Sequence, residues 1–263
     1  MMVKKDMRVL LLYPNLTMNF ALPHSIAIIS SCLKERECVV ELFDTTLYKP
    51  DNVKSDDDVR VELGQFPHVD VPGIKTSDMY KDFQELVDVF KPDMIMVSLV
   101  ENTIDLGVSL LSSLNEHIYT VLGGVSAICD PERFRGNPLF DFVWDGSAEN
   151  LILGNDKKKV YEDYTIFESS RFYRPWSGRL LKTIPWHTGV CPYNCSFCCA
   201  KCLRVRQGVS PRFFIDDVLG NLEFQISTHK PEFIHFTTES FLTMKDSDFD
   251  KFIGFYERYH IPF

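Results

Sequence analysis

Arg8-Val9-Leu10-Leu11-Leu12-Tyr13 is an apolar run of strand length, and the segments after it decide how the strand is used. Pro23 opens a helix through Ser25 to Leu33, and Cys38 to Phe43 makes a second strand that ends at Asp44. A helix is expected over Tyr80 to Phe90, where Phe83, Leu86, Val87 and Phe90 recur at i, i+3, i+4 and i+7 and form one buried face. Met94 to Val97 reads as strand, Thr103 to Leu114 as helix, and Ile118 to Leu122 and Phe140 to Trp144 as two more strands. The order is strand, helix, strand, helix.

Such alternation, with strands that are apolar throughout, implies a parallel sheet covered by helices on both faces. The expected fold over residues 7–150 is therefore α/β, a Rossmann-like doubly wound sheet. Ligands of such sheets bind beyond the carboxyl ends of the strands. That places the candidate loops at Pro14 to Pro23, Asp44 to Thr46, Val100 to Thr103, Gly123 to Ser126 and Asp145 to Glu149. Gly123-Gly124 after a strand would let the backbone approach a flat or bulky ligand, although such a pair is more often only a turn. Neither a GxGxxG fingerprint nor a GxxxxGK[ST] phosphate loop is present, which removes support from dinucleotide and nucleoside triphosphate readings.

The chain has 263 residues, 45% of them hydrophobic and 25% charged, enough for a sizeable core and for two domains. Its net charge of -9 argues against broad nucleic-acid binding, which needs basic surface, and favours a small-molecule substrate. There is no apolar run of about 18 residues and no signal sequence, so the expectation is a cytoplasmic protein without membrane contact. Thr45 to Asp78, with Pro50, Pro67, Pro72 and the run Asp56-Asp57-Asp58, is long for a loop inside a compact domain; the aspartates read as a solvated face. None of the seven histidines stands in a ligand motif, and they read as ordinary core or surface residues.

Residues 151–179 are expected to form a linker, charged at Lys157-Lys158-Lys159 and aromatic from Phe167 to Trp176. Beyond it, the apolar run Leu180 to Pro185 leads to Cys191-Pro192-Tyr193-Asn194-Cys195-Ser196-Phe197-Cys198. Three thiolates spaced C-x3-C-x2-C on a tight loop can hold three irons of a cubane cluster and leave the fourth open for chemistry. A structural zinc site wants four ligands, usually in two separated pairs, and no distant second pair exists. Cys199 and Cys202 nonetheless supply enough further thiolates to keep a zinc knuckle open as an alternative. A disulfide framework is disfavoured, because the eight cysteines are scattered through a long chain.

This stretch resembles the signature of radical S-adenosylmethionine (radical SAM) enzymes: C-x3-C-x2-C with an aromatic before the third cysteine, following a strand. The resemblance implies that Cys191, Cys195 and Cys198 hold a 4Fe-4S cluster whose open iron takes S-adenosylmethionine, and that Phe197 lies against the adenine. It implies reductive cleavage of the sulfonium to a 5′-deoxyadenosyl radical, with electrons from a reductant such as ferredoxin or flavodoxin. Phe233 to Phe236 reads as the next strand, and Thr238 and Glu239 stand where the family has a Gly-Gly-Glu-like turn that binds the amino group of S-adenosylmethionine. Both glycines of that turn are missing here.

The first half is similar to the cobalamin-binding domain that precedes the radical domain in a large subfamily. The likeness rests on Leu22-Pro23-His24-Ser25-Ile26-Ala27 after the first strand, Asp44 at the end of the second, Gly123-Gly124 after a later one, and Asp145-Gly146-Ser147-Ala148-Glu149, which keeps the first glycine and last glutamate of an acidic turn. It implies that cobalamin would meet Asn15, Ser98, Gly123, Gly124, Gly146 and Glu149. The DxHxxG motif is absent, as it commonly is in this subfamily.

After the cysteines, Lys201, Arg204, Arg206 and Arg212 form a basic stretch of the kind that is usually solvated, although some could meet a carboxylate or phosphate. Ile215 to Ile226 and Asp246 to Tyr259 read as helices with one buried face. Residues 180–263 would then be about two of the six strand-helix units of the family's partial barrel. A fragment or shortened member is the expectation, with another chain covering the open barrel edge. The implied reaction is methyl transfer to an unactivated carbon or an oxidative cyclisation of a small molecule. A non-catalytic cobalamin-binding fragment and a zinc-stabilised regulatory protein are the alternatives.

Overall fold

The computed structural model describes residues 3–16, 20–48, 59, 62–65, 70, 72–154, 160–187, 191–208, 215–237 and 241–263. Five strands, β1 (Arg8–Tyr13), β2 (Val39–Asp44), β3 (Met94–Ser98), β4 (Thr120–Gly123) and β5 (Phe142–Val143), form one sheet in the order β2-β1-β3-β4-β5. Every pair in it is parallel. Between them run α1 (His24–Glu35), α2 (Met79–Phe90), α3 (Ile104–Ser112) and α4 (Val125–Cys129), and α5 (Ala148–Leu153) follows β5. The alternation expected from the sequence is thus present.

The period of two in β1 sorts its side chains into two cores. Val9 and Leu11, with Met94, Met96 and Val121, pack under α1 and α5 through Ile26, Ala27, Leu33 and Ile152. Leu10 and Leu12, with Ile95, Val97 and Leu122, pack under α2, α3 and α4 through Phe83, Val87, Leu110 and Ala127. Being covered on both faces explains why these strands carry no polar alternation. The side chain of Asp78 caps α2 by accepting from the backbone of Tyr80 and Lys81, and Lys91 ends the helix in the left-handed conformation.

The fifth strand is shorter than the expected Phe140 to Trp144. The Phe140 amide is taken by the Asn137 carbonyl, so the chain first bonds β4 at Asp141, whose amide donates to the Thr120 carbonyl at 3.0 Å and whose carboxylate accepts from the Thr120 amide at 2.7 Å. The α3 helix also stops short of Leu114, where Ser113 Oγ donates to the Leu110 carbonyl at 2.7 Å.

A second sheet has the order β6-β7-β8, from β6 (Tyr173–Trp176), β7 (Arg179–Trp186) and β8 (Phe233–Phe236). β6 and β7 are an antiparallel hairpin, and Ser177 and Gly178 at its tip both have positive φ, as a two-residue primed turn requires. β7 and β8 are parallel, joined through α6 (Ala200–Gln207) and α7 (Ile215–His229); α8 (Asp246–Tyr256) follows. Trp186, Phe236, Phe241, Phe252 and Tyr256 stack into one aromatic cluster under α8.

Of the stretch read as a linker, residues 160–172 are packed between the two sheets. Tyr164, Phe167 and Phe172 belong to the same core cluster as α1, Ile184 and Trp186. Arg171, only 1% exposed, reaches across to Asp44 with its Nε 2.7 Å from Oδ2. No helix among the described residues is long and apolar enough to cross a membrane.

Candidate functional site

The sheet order places its divergence of connections at β1 and β3, and the carboxyl ends of these strands form the crevice where such folds take ligands. Asn15, Ser98, Gly123 and Gly124 stand on this edge, and Gly146 and Glu149 follow β5 on the same side. Asn15 is tied down: its amide donates to Thr45 Oγ1 at 2.7 Å, its Nδ2 donates to Thr46 Oγ1 at 2.8 Å, and Thr45 Oγ1 donates to its carbonyl. These bonds clamp the exits of β1 and β2 together.

The two adjacent glycines differ. Gly124 has φ 92°, and a Cβ there would lie 2.6 Å from the Leu99 backbone nitrogen and oxygen. Its identity is thus required by the chain itself. A Cβ on Gly123 would meet nothing within 4 Å among the described residues, so the edge is open at that position. Gly146 packs under Trp144, whose ring would be 3.0 Å from an added Cβ. Glu149 is exposed in the first turn of α5, behind Ser147, which caps the helix by accepting from Asn150.

The cysteine loop leaves the end of β7. Cys191 is half-buried, Cys195 and Cys198 are exposed, and none of the eight cysteines is in a disulfide. Arg204 on α6 shapes the loop: Nη1 donates to the Cys191 carbonyl at 2.7 Å and to the Tyr193 carbonyl at 3.5 Å, and Nη2 donates to Asn194 Oδ1 at 2.6 Å. The Ala200 amide donates to Cys198 Sγ at 3.5 Å. Phe197 is 91% exposed. Arg206 pairs with Asp145 at 2.9 Å, which docks α6 on the turn that follows β5 and brings the cysteine loop to the sheet's β4–β5 side. The basic residues Arg204 and Arg206, open in the sequence reading, therefore hold the loop and its helix in place. Arg212 lies outside the described residues.

No family model matches the chain, and no curated protein matches its sequence. A solved structure does. It is the radical S-adenosylmethionine methyltransferase TsrM from Kitasatospora setae, with tryptophan substrate and the SAM analog aza-SAM bound. The two superpose with a TM-score of 0.57 at 15% sequence identity, over 96% of this chain and 51% of that one. The likeness is one of fold. This chain spans about half the length of that structure.

Three thiols on one loop, none in a disulfide, are donors of the kind iron and zinc take. Among the described residues no group of three or more His, Cys, Asp or Glu side chains is gathered to hold a metal ion, so the loop presents its thiols without closing them about one point. Thr238 and Glu239 lie outside the described residues. Cys199 and Cys202 lie near Cys129, where burial and then these sulfurs push the Cys129 thiol up.

Two constellations escaped the sequence reading. A cleft of about 470 Å³ lies at the β2 edge, lined in part by Asp44, Tyr48, Lys75, Glu168 and Arg171, away from the cysteine loop. At the junction of the sheets, His24 Nδ1 donates to Glu162 Oε1 at 2.7 Å, and Asn221 donates to Glu162 Oε2. The His24 ring lies 5.2 Å from that of His187, which directly follows β7. No local pattern marks either set, because their members come together only through the fold.

Burial pushes the Glu162 carboxyl up, but the bonds from His24 and Asn221 outweigh it and hold it below its ordinary value. A depressed carboxylate contributes stability that is present above its unfolded pKa, about 4.3, and lost as pH falls through the folded value. Glu162→Gln is therefore expected to be less stable than the parent by about 1.5–3 kcal/mol at neutral pH. Urea midpoints measured against pH should converge below about pH 4; a gap that stays constant into acid would show that the charge contributes nothing.

Proposed function

We propose that the chain carries a cobalamin-binding-type domain, residues 7–150, and the first strands of a radical SAM domain, residues 180–263. The supporting observation is the C-x3-C-x2-C loop at the carboxyl end of β7, a strand paired in parallel with the next strand β8, in a fold shared with a radical SAM methyltransferase. Cys191, Cys195 and Cys198 would hold a 4Fe-4S cluster, and Phe197, Thr238 and Glu239 would bind S-adenosylmethionine. That group, when bound, supplies one-electron reduction of the sulfonium and hence a 5′-deoxyadenosyl radical.

The chain's own residues do the positioning. Arg204 fixes the loop through backbone carbonyls and the Asn194 side chain, and leaves the three sulfurs out of its bonds. The Arg206–Asp145 pair docks α6, and with it the following end of the loop, on the turn after β5. Cobalamin on the sheet edge near Ser98 and Gly123 would face the radical site across α4 and α6. Trp186 and the aromatic cluster beneath it exclude water from the floor of β7 and β8. The reaction class is methyl transfer to an unactivated carbon, or oxidative cyclisation, of a small molecule, with ferredoxin or flavodoxin as reductant and a further polypeptide extending the second sheet beyond β8, where the Ile234 amide donates to the Pro262 carbonyl.

Elemental analysis tests this without a substrate. After anaerobic reconstitution with iron, sulfide and cobalamin, the chain is expected to hold about four irons and four sulfides, with cobalt retained. The Cys191→Ala, Cys195→Ala, Cys198→Ala triple variant should lose the iron and sulfide and keep the cobalt. Cobalt without iron would leave a binding fragment. One zinc and no sulfide would replace the radical reading with a metal-stapled α/β protein.

A further inference from the structure

A second group of sulfurs lies outside the C-x3-C-x2-C loop. Cys129 ends α4, Cys202 is in the first turn of α6, and Cys199 is the N-cap residue of α6. The two helices pack directly on each other, which brings Cys202 and Cys199 beside the Cys129 thiol. Cys202 Sγ also lies 3.9 Å from the Ile128 carbonyl, to which it donates. Cys129 and Cys202 are half-buried, Cys199 is exposed, and none is in a disulfide.

We propose that Cys129 and Cys202 are a disulfide-forming pair, oxidised by hydrogen peroxide into a covalent tie between α4 and α6, the helix behind the cysteine loop. Cys202 is the partner rather than Cys199 because its sulfur lies on the carbonyl next to Cys129. Bridging needs the two sulfurs to close to about 2 Å, an approach by side-chain rotation for residues on two packed helices, with Cys202 Sγ already 3.9 Å from the carbonyl of the residue before Cys129.

Burial, then the neighbouring sulfurs, pushes the Cys129 thiol up to about 12, so it is the resolving and not the attacking group. Cys202 attacks the peroxide; the O–O bond breaks, one water leaves with the thiol proton, and a sulfenic acid remains on Cys202. Cys129 then displaces the hydroxyl, which leaves as a second water with the Cys129 proton. Two S–H bonds and one O–O bond are lost, one S–S bond and two O–H bonds form, and two electrons pass from sulfur to peroxide.

The test is independent of any iron on Cys191, Cys195 and Cys198. The purified chain, reduced and freed of reductant under nitrogen, is treated with stoichiometric hydrogen peroxide, blocked with N-ethylmaleimide and digested with trypsin without reduction. Cleavage after Lys201 and Arg204 isolates Cys202 in the tripeptide Cys202-Leu203-Arg204, apart from Cys191, Cys195, Cys198 and Cys199. The expected product is that tripeptide bonded to the Cys129 peptide ending at Arg133, recovered from monomer and accounting for most of Cys129. It should persist in Cys199→Ser and vanish in Cys202→Ser. Cys129 recovered alkylated, bonded to the peptide Thr183–Lys201, or bonded to another copy would overturn the pairing.

Discussion

Arg171→Met is expected to destabilise the fold by about 3–5 kcal/mol, the range for removing one partner of a buried ion pair. The guanidinium is 1% exposed, and its Nε bonds Asp44 Oδ2 at 2.7 Å. Nη1 donates to the Phe20 carbonyl at 3.3 Å. Asp44 Oδ1 is already used by the amide and hydroxyl of Thr46, so Oδ2 would be the oxygen left unpaired inside. Among the described residues Arg171 Nη2 has no partner, so the native pair carries an uncompensated donor of its own. Replacing both charges, in Arg171→Met with Asp44→Asn, should therefore recover a large part of the loss. Urea denaturation of the two single variants and the double variant measures this. A double variant as unstable as the sum of the singles, within about 0.5 kcal/mol, would show that packing and not charge pairing holds Arg171.

Gly124→Ala should cost about 3 kcal/mol or more, whereas Gly123→Ala should change stability by less than about 0.5 kcal/mol. At Gly124 two penalties add: φ of 92°, and a Cβ 2.6 Å from the Leu99 nitrogen and oxygen. Leu99 cannot withdraw easily. Its amide donates to the Gly123 carbonyl at 3.1 Å and its carbonyl accepts from the Ser126 amide at 3.2 Å, so moving it would break the join between β3 and α4. At Gly123 the space is open among the described residues. Equal losses at the two positions, read from thermal or urea midpoints, would refute the contrast. A ligand that uses the open position should feel Gly123→Ala in its affinity while stability stays unchanged.

These two cases also mark what the sequence could reveal. Strands β1, β3 and β4 were legible because burial on both faces leaves a local imprint, an apolar run, and the expected α2 helix matches Met79–Phe90 within a residue. The cysteine spacing was legible because its three thiols sit within one loop. Gly123-Gly124 was visible as a turn, but only the fold separates the glycine demanded by Leu99 from the one that leaves space. Arg171 and Asp44 are 127 positions apart, and an arginine in a charged, aromatic stretch gives no local sign of being buried. His24, Glu162 and Asn221 come from three separate segments and were equally silent. Where a contact spans elements, composition and spacing carry no record of it.

Arg204 has one further consequence. Its guanidinium gathers acceptors from Cys191 to Asn194 onto one side chain, itself mounted on a helix packed against α4. Fixing the backbone of one residue costs about 1–2 kcal/mol of conformational entropy. For those four residues the cost is met when the chain folds, not when something binds. An incoming group therefore meets a stretch from Cys191 to Asn194 that is already held, and the ordering still to be met at binding falls on the Cys195 to Cys198 half of the loop.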